Sequence, residues 1–392
     1  MLTFDDTRRA CYAGYVTQAI VNNLAPLLFI VFQTQYHVPY EMLGRLVLLN
    51  FATQLVTDLV AVTLMDRLGY RVPLVLAHVL CVVGLVLLAA LPSLLASPYL
   101  GLSLAIVVYG IGGGLLEVVV SPVVDALPTP REGKAAAMSL LHSFYCWGQV
   151  VVVLVTTLLL AQIGQGDWRA VPLLWAVVPV VNVVFLLRVP LPPAVPDEHR
   201  TARGELFTTL AFPVLLVLML CAGAAELTMS QWSSLFAEQA LGLPKVGGDL
   251  AGPLLFAAMM GVGRIAYSRY GETIRLVPAV VGCGALATLG YLTAALSSSP
   301  VLSLLGCAMC GLAVSLLWPG TFSLAAARFP AGGVTMFAIL AMLGDAGAAA
   351  GPWLAGVVAD ASAGGLRAGL LVGTVFPLGV VVTALTYAVA KR

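Results

Sequence analysis

The feature that most constrains the fold is a series of long stretches that carry almost no charge. Twelve such stretches occur, at 10–34, 41–66, 73–92, 98–127, 135–163, 167–189, 207–237, 246–268, 274–297, 300–328, 332–361 and 364–390. A helix needs about 20 mostly apolar residues to cross the hydrocarbon core of a bilayer. The stretches lack the strict alternation of apolar and polar residues that marks a membrane β-strand. Because lipid offers no hydrogen bonds to the backbone, we predict an all-α membrane protein with twelve transmembrane helices.

Composition excludes several other classes of protein. Of the 392 residues, 60% are hydrophobic and 9% are charged, whereas soluble domains carry about 25% charged residues. A net charge of +1 gives no electrostatic basis for binding nucleic acid. The sequence has no phosphate-binding loop of the ATPase type and no paired spacing of metal ligands. We therefore expect no enzyme activity, no cofactor and no metal site.

The distribution of lysine and arginine predicts the orientation in the membrane, since cytoplasmic loops are enriched in both. With the N-terminus inside, 15 of the 19 lysine and arginine residues fall in inner stretches and four in outer ones. Both termini are therefore predicted to be cytoplasmic. The short loops favour a bacterial inner (plasma) membrane, and we expect a monomer.

The longest polar stretch divides the chain into two sets of six spans. Residues 190–205 read PLPPAVPDEHRTARGE, and their prolines and mixed charges predict a linker. We thus predict an N-terminal half at 1–189, a cytoplasmic linker at 190–206 and a C-terminal half at 207–392. A weak repeat agrees, because Asp66-Arg67-Leu68-Gly69 and Ser268-Arg269-Tyr270-Gly271, 202 residues apart, end the second and eighth spans.

The loop after the second span carries a recognisable motif. Asp66-Arg67-Leu68-Gly69-Tyr70-Arg71 resembles the D-R-x-G-x-R/K signature of the major facilitator superfamily, although Val62 replaces the glycine usual four residues before the aspartate. In that superfamily the loop latches the two halves on the cytoplasmic side. The resemblance implies that Asp66, Arg67, Gly69 and Arg71 form a cytoplasmic gate. It also implies a substrate site near the middle of the membrane.

Three further patches resemble the fucose–galactose–glucose:proton symporter family within that superfamily. They are Gly110-Ile-Gly-Gly-Gly-Leu-Leu-Glu117 with Pro122 after it, His142-Ser-Phe-Tyr-Cys-Trp-Gly-Gln149, and Ala225-Glu226 with Trp232 after it. The resemblance implies proton-coupled sugar uptake, with Glu117 in the sugar and proton site. The first-span aspartate of that family has no match, since Asn22 and Asn23 stand there.

Charged residues inside the spans are candidates on physical grounds alone. A charge in the middle of a bilayer costs roughly 2.5–3.5 kcal/mol, so such residues face the protein interior and usually have a function. The candidates are Asp58, Glu117, Glu226, Arg264 and Asp345. Each carboxyl group can carry a proton, but each also suits a structural role, bonded to another helix. Arg264 lies near an inner end and is expected to extend to the membrane surface.

Polar residues also recur at helical spacing and so share faces. These sets are Asn50, Gln54 and Asp58; Gln18 and Asn22; and His142, Cys146 and Gln149. Amides both donate and accept hydrogen bonds, which suits a polyhydroxylated ligand, while the alternative is hydrogen bonding between helices. Aromatic rings stack on sugars, which adds Tyr145, Trp232 and Trp318 as candidates, although packing is the default role of each. Trp318-Pro319-Gly320 is also a candidate helix break.

Together these patterns predict a secondary transporter that takes up a sugar or similar small polar solute with protons. The predicted proton-coupling residues are Glu117, His142 and Asp345. The predicted substrate-binding residues are Asn22, Gln54, Asp58, Tyr145, Gln149, Glu226, Trp232 and Trp318. One alternative is a proton-coupled drug or metabolite exporter, and another is a membrane sensor that does not transport.

Overall fold

The structure is a computed structural model that describes residues 2–128, 134–192, 206–207, 209–270, 275–329 and 333–390. Side chains are described in these ranges except those of residues 62–68, 134–139, 268, 333–335 and 390. No β-strand occurs in the described ranges. The predicted all-α fold is therefore confirmed.

Among the described residues, seven helices precede residue 190: α1 Phe4–Leu27, α2 Phe29–Tyr36, α3 Tyr40–Leu68, α4 Arg71–Leu94, α5 Pro98–Ala126, α6 Lys134–Ile163 and α7 Ala170–Leu186. In the described part of the chain after residue 206, nine follow: α8 Ala211–Gln239, α9 Lys245–Asp249, α10 Leu255–Tyr270, α11 Leu276–Leu296, α12 Pro300–Val314, α13 Leu317–Arg328, α14 Gly333–Ala361, α15 Gly365–Gly373 and α16 Val375–Ala390. A π-helical turn at Leu250–Leu254 joins α9 to α10.

The lengths of these helices agree with a protein of twelve spans. Among the described residues, ten helical segments are long and apolar enough to cross a membrane. The bent pair α1 and α2 makes an eleventh, and α7 is a shorter apolar helix of 17 residues. Such a helix is at the lower limit for crossing a bilayer. The chain is an integral membrane protein.

Among the described residues the first, tenth and twelfth spans are interrupted, the twelfth at Thr374, and the sequence anticipated the break in the tenth. The tenth span breaks between α12 and α13 at Ser315 and Leu316, just before the predicted Trp318-Pro319-Gly320. Pro319 falls in the first turn of α13, where a missing N–H does no harm. The first span bends by 42° at Leu28. Pro26, in the last turn of α1, removes a helical hydrogen bond and accounts for the bend.

The described chain forms two compact units. Unit 1 comprises Met1–Val38 and Leu49–Pro196, and unit 2 comprises Pro39–Leu48 and Asp197–Arg392. Most of the predicted linker, residues 193–205, lies outside the described residues. The assignment of halves at 1–189 and 207–392 stays a prediction.

In unit 2, helices α8 and α14 pack backbone against backbone. A methyl group on Gly347 of α14 would overlap the carbonyl oxygen of Leu220 and lie 2.9 Å from the backbone nitrogen of Ala224. A methyl group on Gly351 would lie 2.5 Å from Oγ1 of Thr228. The G-x-x-x-G spacing at 347 and 351 thus allows the two helices to approach each other closely.

The C-terminal part of α14 also bonds to the first turn of α3, which belongs to unit 2. The carboxylate of Asp360 accepts hydrogen bonds from the backbone N–H groups of Tyr40 at 3.0 Å and Glu41 at 2.5 Å. The indole N–H of Trp353 donates to Glu41 Oε1 at 3.0 Å. The first N–H groups of a helix have no partner within the helix, so Asp360 caps α3 from another helix.

Candidate functional site

The polar stripes predicted on the first two spans lie against each other in unit 1. Oδ1 of Asn22 on α1 accepts hydrogen bonds from Nδ2 of Asn50 at 3.0 Å and Nε2 of Gln54 at 2.7 Å, both on α3. All three side chains are buried. Because Asn50 and Gln54 are one turn apart, a single oxygen on α1 ties together two turns of α3.

Glu117 on α5 joins the same group of side chains. One turn before Asn22, the amide Nε2 of Gln18 donates to Oε2 of Glu117 at 2.8 Å. A carboxylate oxygen of Asp58 on α3 lies within 4.8 Å of one of Glu117. Two carboxylates at this distance repel each other when both are charged, and a proton bound to either one removes that repulsion. We call Gln18, Asn22, Asn50, Gln54, Asp58 and Glu117 the polar cluster.

Glycines of α5 allow the polar cluster to form. A methyl group on Gly113 would lie 3.1 Å from the amide carbon of Gln54. One on Gly114 would lie 2.8 Å from the backbone oxygen of Gln54 and 3.0 Å from Oδ1 of Asp58. The run of glycines before Glu117 therefore lets the polar face of α3 approach α5 closely.

The polar cluster presents oxygen atoms that lack donors. Among the described residues, four of its buried oxygens have no hydrogen-bond partner: Gln18 Oε1, Asn50 Oδ1, Gln54 Oε1 and Asp58 Oδ1. A buried acceptor left without a donor costs about 1–3 kcal/mol. Such groups in folded proteins are normally satisfied by protein, water or ligand. The cluster is thus suited to a molecule that offers several donors.

The stripe predicted on the fifth span is divided between two environments. Gln149 and Cys146 on α6 are buried, whereas His142 is exposed. The His142 ring lies edge-on to Tyr15 on α1, with ring centres 5.1 Å apart. The hydroxyl of Tyr145 accepts a hydrogen bond from Nδ2 of Asn23 at 3.4 Å. Tyr145 therefore lies beside α1, at the residue that directly follows Asn22 of the polar cluster.

In unit 2, Glu226 on α8 pairs with Arg264 on α10. Oε1 of Glu226 lies 3.8 Å from Nη2 of Arg264, so Arg264 does not extend to the inner surface as expected. Side chains of a helix tilt toward its N-terminus. That end of α10 is the outer end in the predicted topology, so Arg264 is directed back into the membrane.

The other predicted residues of unit 2 are buried or half-buried. The Trp232 ring is fully buried, and its N–H donates to the backbone oxygen of Pro352 at 2.8 Å. The ring of half-buried Trp318 lies against Gly344, where a methyl group would meet it. Asp345 on α14 is buried. In this conformation Trp232 and Trp318 contribute to helix packing, and their roles in substrate binding stay predictions.

The signature loop is described only in part. Gly69 has a φ of +64°, which a glycine adopts without strain. Arg71 donates to the backbone oxygens of Leu186 at 2.6 Å and Val189 at 2.8 Å. A cation there neutralises the free carbonyl groups that end α7. The side chains of Asp66 and Arg67 lie outside the described residues, so the gate role of the loop stays a prediction.

Sequence reasoning missed a buried pair of polar side chains in unit 1, Asn182 and His78. Nδ2 of Asn182 on α7 donates to the backbone oxygen of Ala10 at 2.9 Å and lies 2.8 Å from Nε2 of His78 on α4. Nδ1 of His78 lies 2.7 Å from the backbone oxygen of Leu74. A neutral ring satisfies both contacts, with Nδ1 donating and Nε2 accepting. The signal for this structural link was one polar residue in the apolar interior of each of two helices, His78 in α4 and Asn182 in α7.

Comparison with known proteins agrees with this architecture. The sequence model of the Major Facilitator Superfamily matches residues 11–352. No curated protein matches this chain in sequence.

Three solved structures illustrate the similarity of fold. A D-xylose–proton symporter aligns with a TM-score of 0.81 at 15% identity, over 98% of this chain and 97% of that one. A bacterial homologue of the human lysosomal transporter Spinster, inward-facing and occupied, aligns with a TM-score of 0.77 at 15% identity, over 98% and 96%. The E. coli fucose:proton symporter aligns with a TM-score of 0.67 at 15% identity, over 97% and 98%.

At this level of identity the structures support the fold alone, and the resemblance to the sugar:proton symporters is not confirmed. The family match covers most of the chain. The chain belongs to the Major Facilitator Superfamily of membrane transporters.

Proposed function

We propose that this transporter takes up a sugar or similar small polar solute together with protons, by alternating access. The observation that carries the proposal is the polar cluster, in which buried oxygens without donors lie beside two carboxyl groups. A charged or polar group is costly inside a membrane protein unless it is satisfied or used.

The substrate class follows from the chemistry of the cluster. The free oxygens of Gln18, Asn50 and Gln54 accept hydrogen bonds, and the hydroxyl groups of a sugar or polyol supply several donors on one small molecule. The hydroxyl of Tyr145 is hydrogen bonded to Asn23 on α1, the helix that also carries Gln18, so its ring offers an aromatic face beside that helix. A hydrophobic cation would leave most of these acceptors unsatisfied, which argues against a drug exporter.

Proton coupling is assigned to Glu117 with Asp58. A charged Glu117 is held by the amide of Gln18, and a proton on either carboxyl group relieves the repulsion between the two. The proposed cycle loads a proton and the solute together. His142 and Asp345 remain candidates for further proton transfer.

A thermal-shift screen of the purified protein in detergent tests the substrate class. A ligand that binds only the folded state stabilises it by about 2.7 kcal/mol at one hundred times its Kd. We expect stabilisation by sugars or polyols and none by hydrophobic cations or amino acids. The shift should be lost in Gln54→Leu, which removes a free acceptor, and kept in Gln162→Leu, an exposed amide on α6. Stabilisation by hydrophobic cations alone would favour the exporter.

A further inference from the structure

A second polar contact joins α1 to α5, one helical turn from the bond between Gln18 and Glu117. Three residues before Gln18, the hydroxyl of Tyr15 lies 3.0 Å from Oγ of Ser121, and Ser121 is four residues after Glu117 on α5. Residues three and four apart share one face of a helix. The two contacts therefore lie side by side on the same interface within unit 1. In the predicted topology, the step from Glu117 to Ser121 leads towards the cytoplasm.

The serine of this contact bonds to another helix and not to its own. A serine inside a helix commonly donates to the backbone oxygen four residues earlier, as Ser103 of α5 does to Tyr99 at 2.9 Å. Ser121 is half-buried and pairs with buried Tyr15 on α1 instead. Each of the two hydroxyls can donate and accept a hydrogen bond, so the pair can pass a proton on.

His142 on α6 lies at the exposed end of this contact. Its ring meets the Tyr15 ring edge-on, with ring centres 5.1 Å apart, and the residue is exposed. The lipid side of α6 is marked by the exposed apolar residues Leu140, Trp147, Val151, Leu154 and Leu158. At 100° per residue, His142 lies about 150° around the helix from the centre of that set. His142 is therefore exposed on the side of α6 that faces α1, and not to lipid.

Other charged or titratable groups near this end of unit 1 have partners or positions of their own. The two ring nitrogens of buried His78 contact Leu74 and Asn182. Arg8 donates to Asp5 and to the backbone oxygen of Pro128. Asp125 is exposed in the last turn of α5. His142 is in ring contact with Tyr15, and a histidine takes up and releases a proton near neutral pH.

We propose that Tyr15 and Ser121 form a relay that carries the proton between Glu117 and His142. The inference rests on the proposed function and deepens it, because it adds the route by which Glu117 exchanges its proton with the cytoplasmic side.

Each transfer along the relay breaks one O–H bond and forms another bond to hydrogen. The carboxyl proton of Glu117 passes to Oγ of Ser121, Ser121 gives its own proton to the hydroxyl of Tyr15, and Tyr15 gives its own to a ring nitrogen of His142. Glu117 is left as a carboxylate and His142 as an imidazolium, with both hydroxyls restored. Residues four apart on a helix have Cβ atoms about 5–6 Å apart, so one bridging water completes the step from Glu117 to Ser121.

Infrared absorption of the purified full chain in detergent tests the relay without any substrate. A protonated carboxyl group absorbs separately from a carboxylate, so the carboxyl signal that Glu117→Gln removes reports on Glu117. After a rapid drop in pH, the growth of this signal gives the rate at which Glu117 takes up a proton. Tyr15→Phe and Ser121→Ala should each slow this rate by about a hundredfold, the lower end of what a positioned proton-transfer group contributes.

Matched variants separate the relay from a structural role. Tyr109→Phe and Ser103→Ala remove the same two hydroxyl types from the part of α5 that precedes Glu117, and should leave the rate unchanged. Ser121→Thr keeps a hydroxyl and should retain the wild-type rate. The pH midpoint of the Glu117 signal should be the same in all these variants, because a relay changes a rate and not an equilibrium.

His142→Ala should slow the rate as well, and imidazole added to the solution should restore it. His142 is exposed, so a dissolved imidazole can take its place, whereas lost packing would not be repaired in this way. If Tyr15→Phe does not fold, the comparison of Ser121→Ala with Ser121→Thr carries the test.

The outcomes distinguish this inference from the proposed function. A Glu117 signal that titrates, with a rate unchanged in Tyr15→Phe and Ser121→Ala, would overturn the relay and leave proton coupling at Glu117 intact. A slower rate in Ser121→Ala that Ser121→Thr does not restore would assign Ser121 a structural role and would also overturn the relay. If no carboxyl signal depends on Glu117 at any pH, proton coupling at Glu117 fails, and the relay fails with it.

Discussion

The close packing of α8 against α14 leads to a sharp prediction for Gly347→Ala. The added methyl group would overlap the carbonyl oxygen of Leu220 and lie 2.9 Å from the backbone nitrogen of Ala224. Favourable contacts between such atoms lie at about 3.5–4.0 Å. The obstructing atoms are backbone atoms of a helix, so no side chain can turn away to relieve the clash. The two helices must separate by more than half an ångström.

The expected cost is that of an overpacked interior, about 1–3 kcal/mol of unfolding free energy. Gly282→Ala on α11 is the matched control, because a methyl group there meets no atom within 4 Å. Both changes replace a helical glycine with alanine, which by itself favours the helix by up to about 1 kcal/mol. The difference between the two variants therefore isolates the packing between α8 and α14.

Tryptophan fluorescence during heating of the purified variants in detergent measures this difference. Gly347→Ala should unfold several degrees below the wild type, and Gly282→Ala at or above it. Equal unfolding temperatures for the two variants would refute the backbone contact between α8 and α14.

Three further substitutions test contacts elsewhere in the two units. Asn22→Ala leaves the amides of Asn50 and Gln54 without their shared acceptor, so heating should reveal a loss of about 1–3 kcal/mol; an unchanged melting curve would contradict the cluster. Asp360→Asn weakens the cap on α3 and should cost about 0.5–2 kcal/mol, measured as faster hydrogen exchange at the start of α3. Arg71→Gln removes two charge-assisted bonds to the end of α7; it should cost about 1.5–3 kcal/mol in chemical unfolding, and Arg71→Lys should restore part of that.

The spans of the fold follow from the sequence because hydropathy acts over whole helices. A stretch of 20 apolar residues has one stable form in lipid, so its existence does not depend on its neighbours. Interruptions depend on local detail instead. Pro319 drew attention to a break that falls at Ser315 and Leu316, because a proline early in a helix is tolerated. The bend at Leu28 was not anticipated, although Pro26 accounts for it.

Part of the candidate site also follows from periodicity. Gln18 and Asn22 share one helical face, as do Asn50 and Gln54, and the structure brings the two faces together. Spacing along one helix cannot tell which other helix a face will meet. The bonds of Gln18 to Glu117 and of Glu226 to Arg264 depend on how helices distant in sequence pack.

The sequence also could not separate polar residues that serve packing from those that remain available. Trp232 stands in a patch that resembles a sugar-binding element, yet its N–H is taken by Pro352. Gln54, by contrast, keeps a buried oxygen with no donor among the described residues. The distinction lies in long-range contacts, which no local pattern encodes.

The measurement that tests the central claim most directly is uptake into proteoliposomes under an inward proton gradient, using a radiolabelled compound that binds in the thermal-shift screen. The wild type should accumulate the compound, and a protonophore should abolish the accumulation. Glu117→Gln keeps an oxygen that can accept from Gln18, so it should fold and exchange labelled for unlabelled compound without accumulating it. Accumulation by Glu117→Gln equal to that of the wild type, or accumulation driven by a sodium gradient alone, would contradict the account.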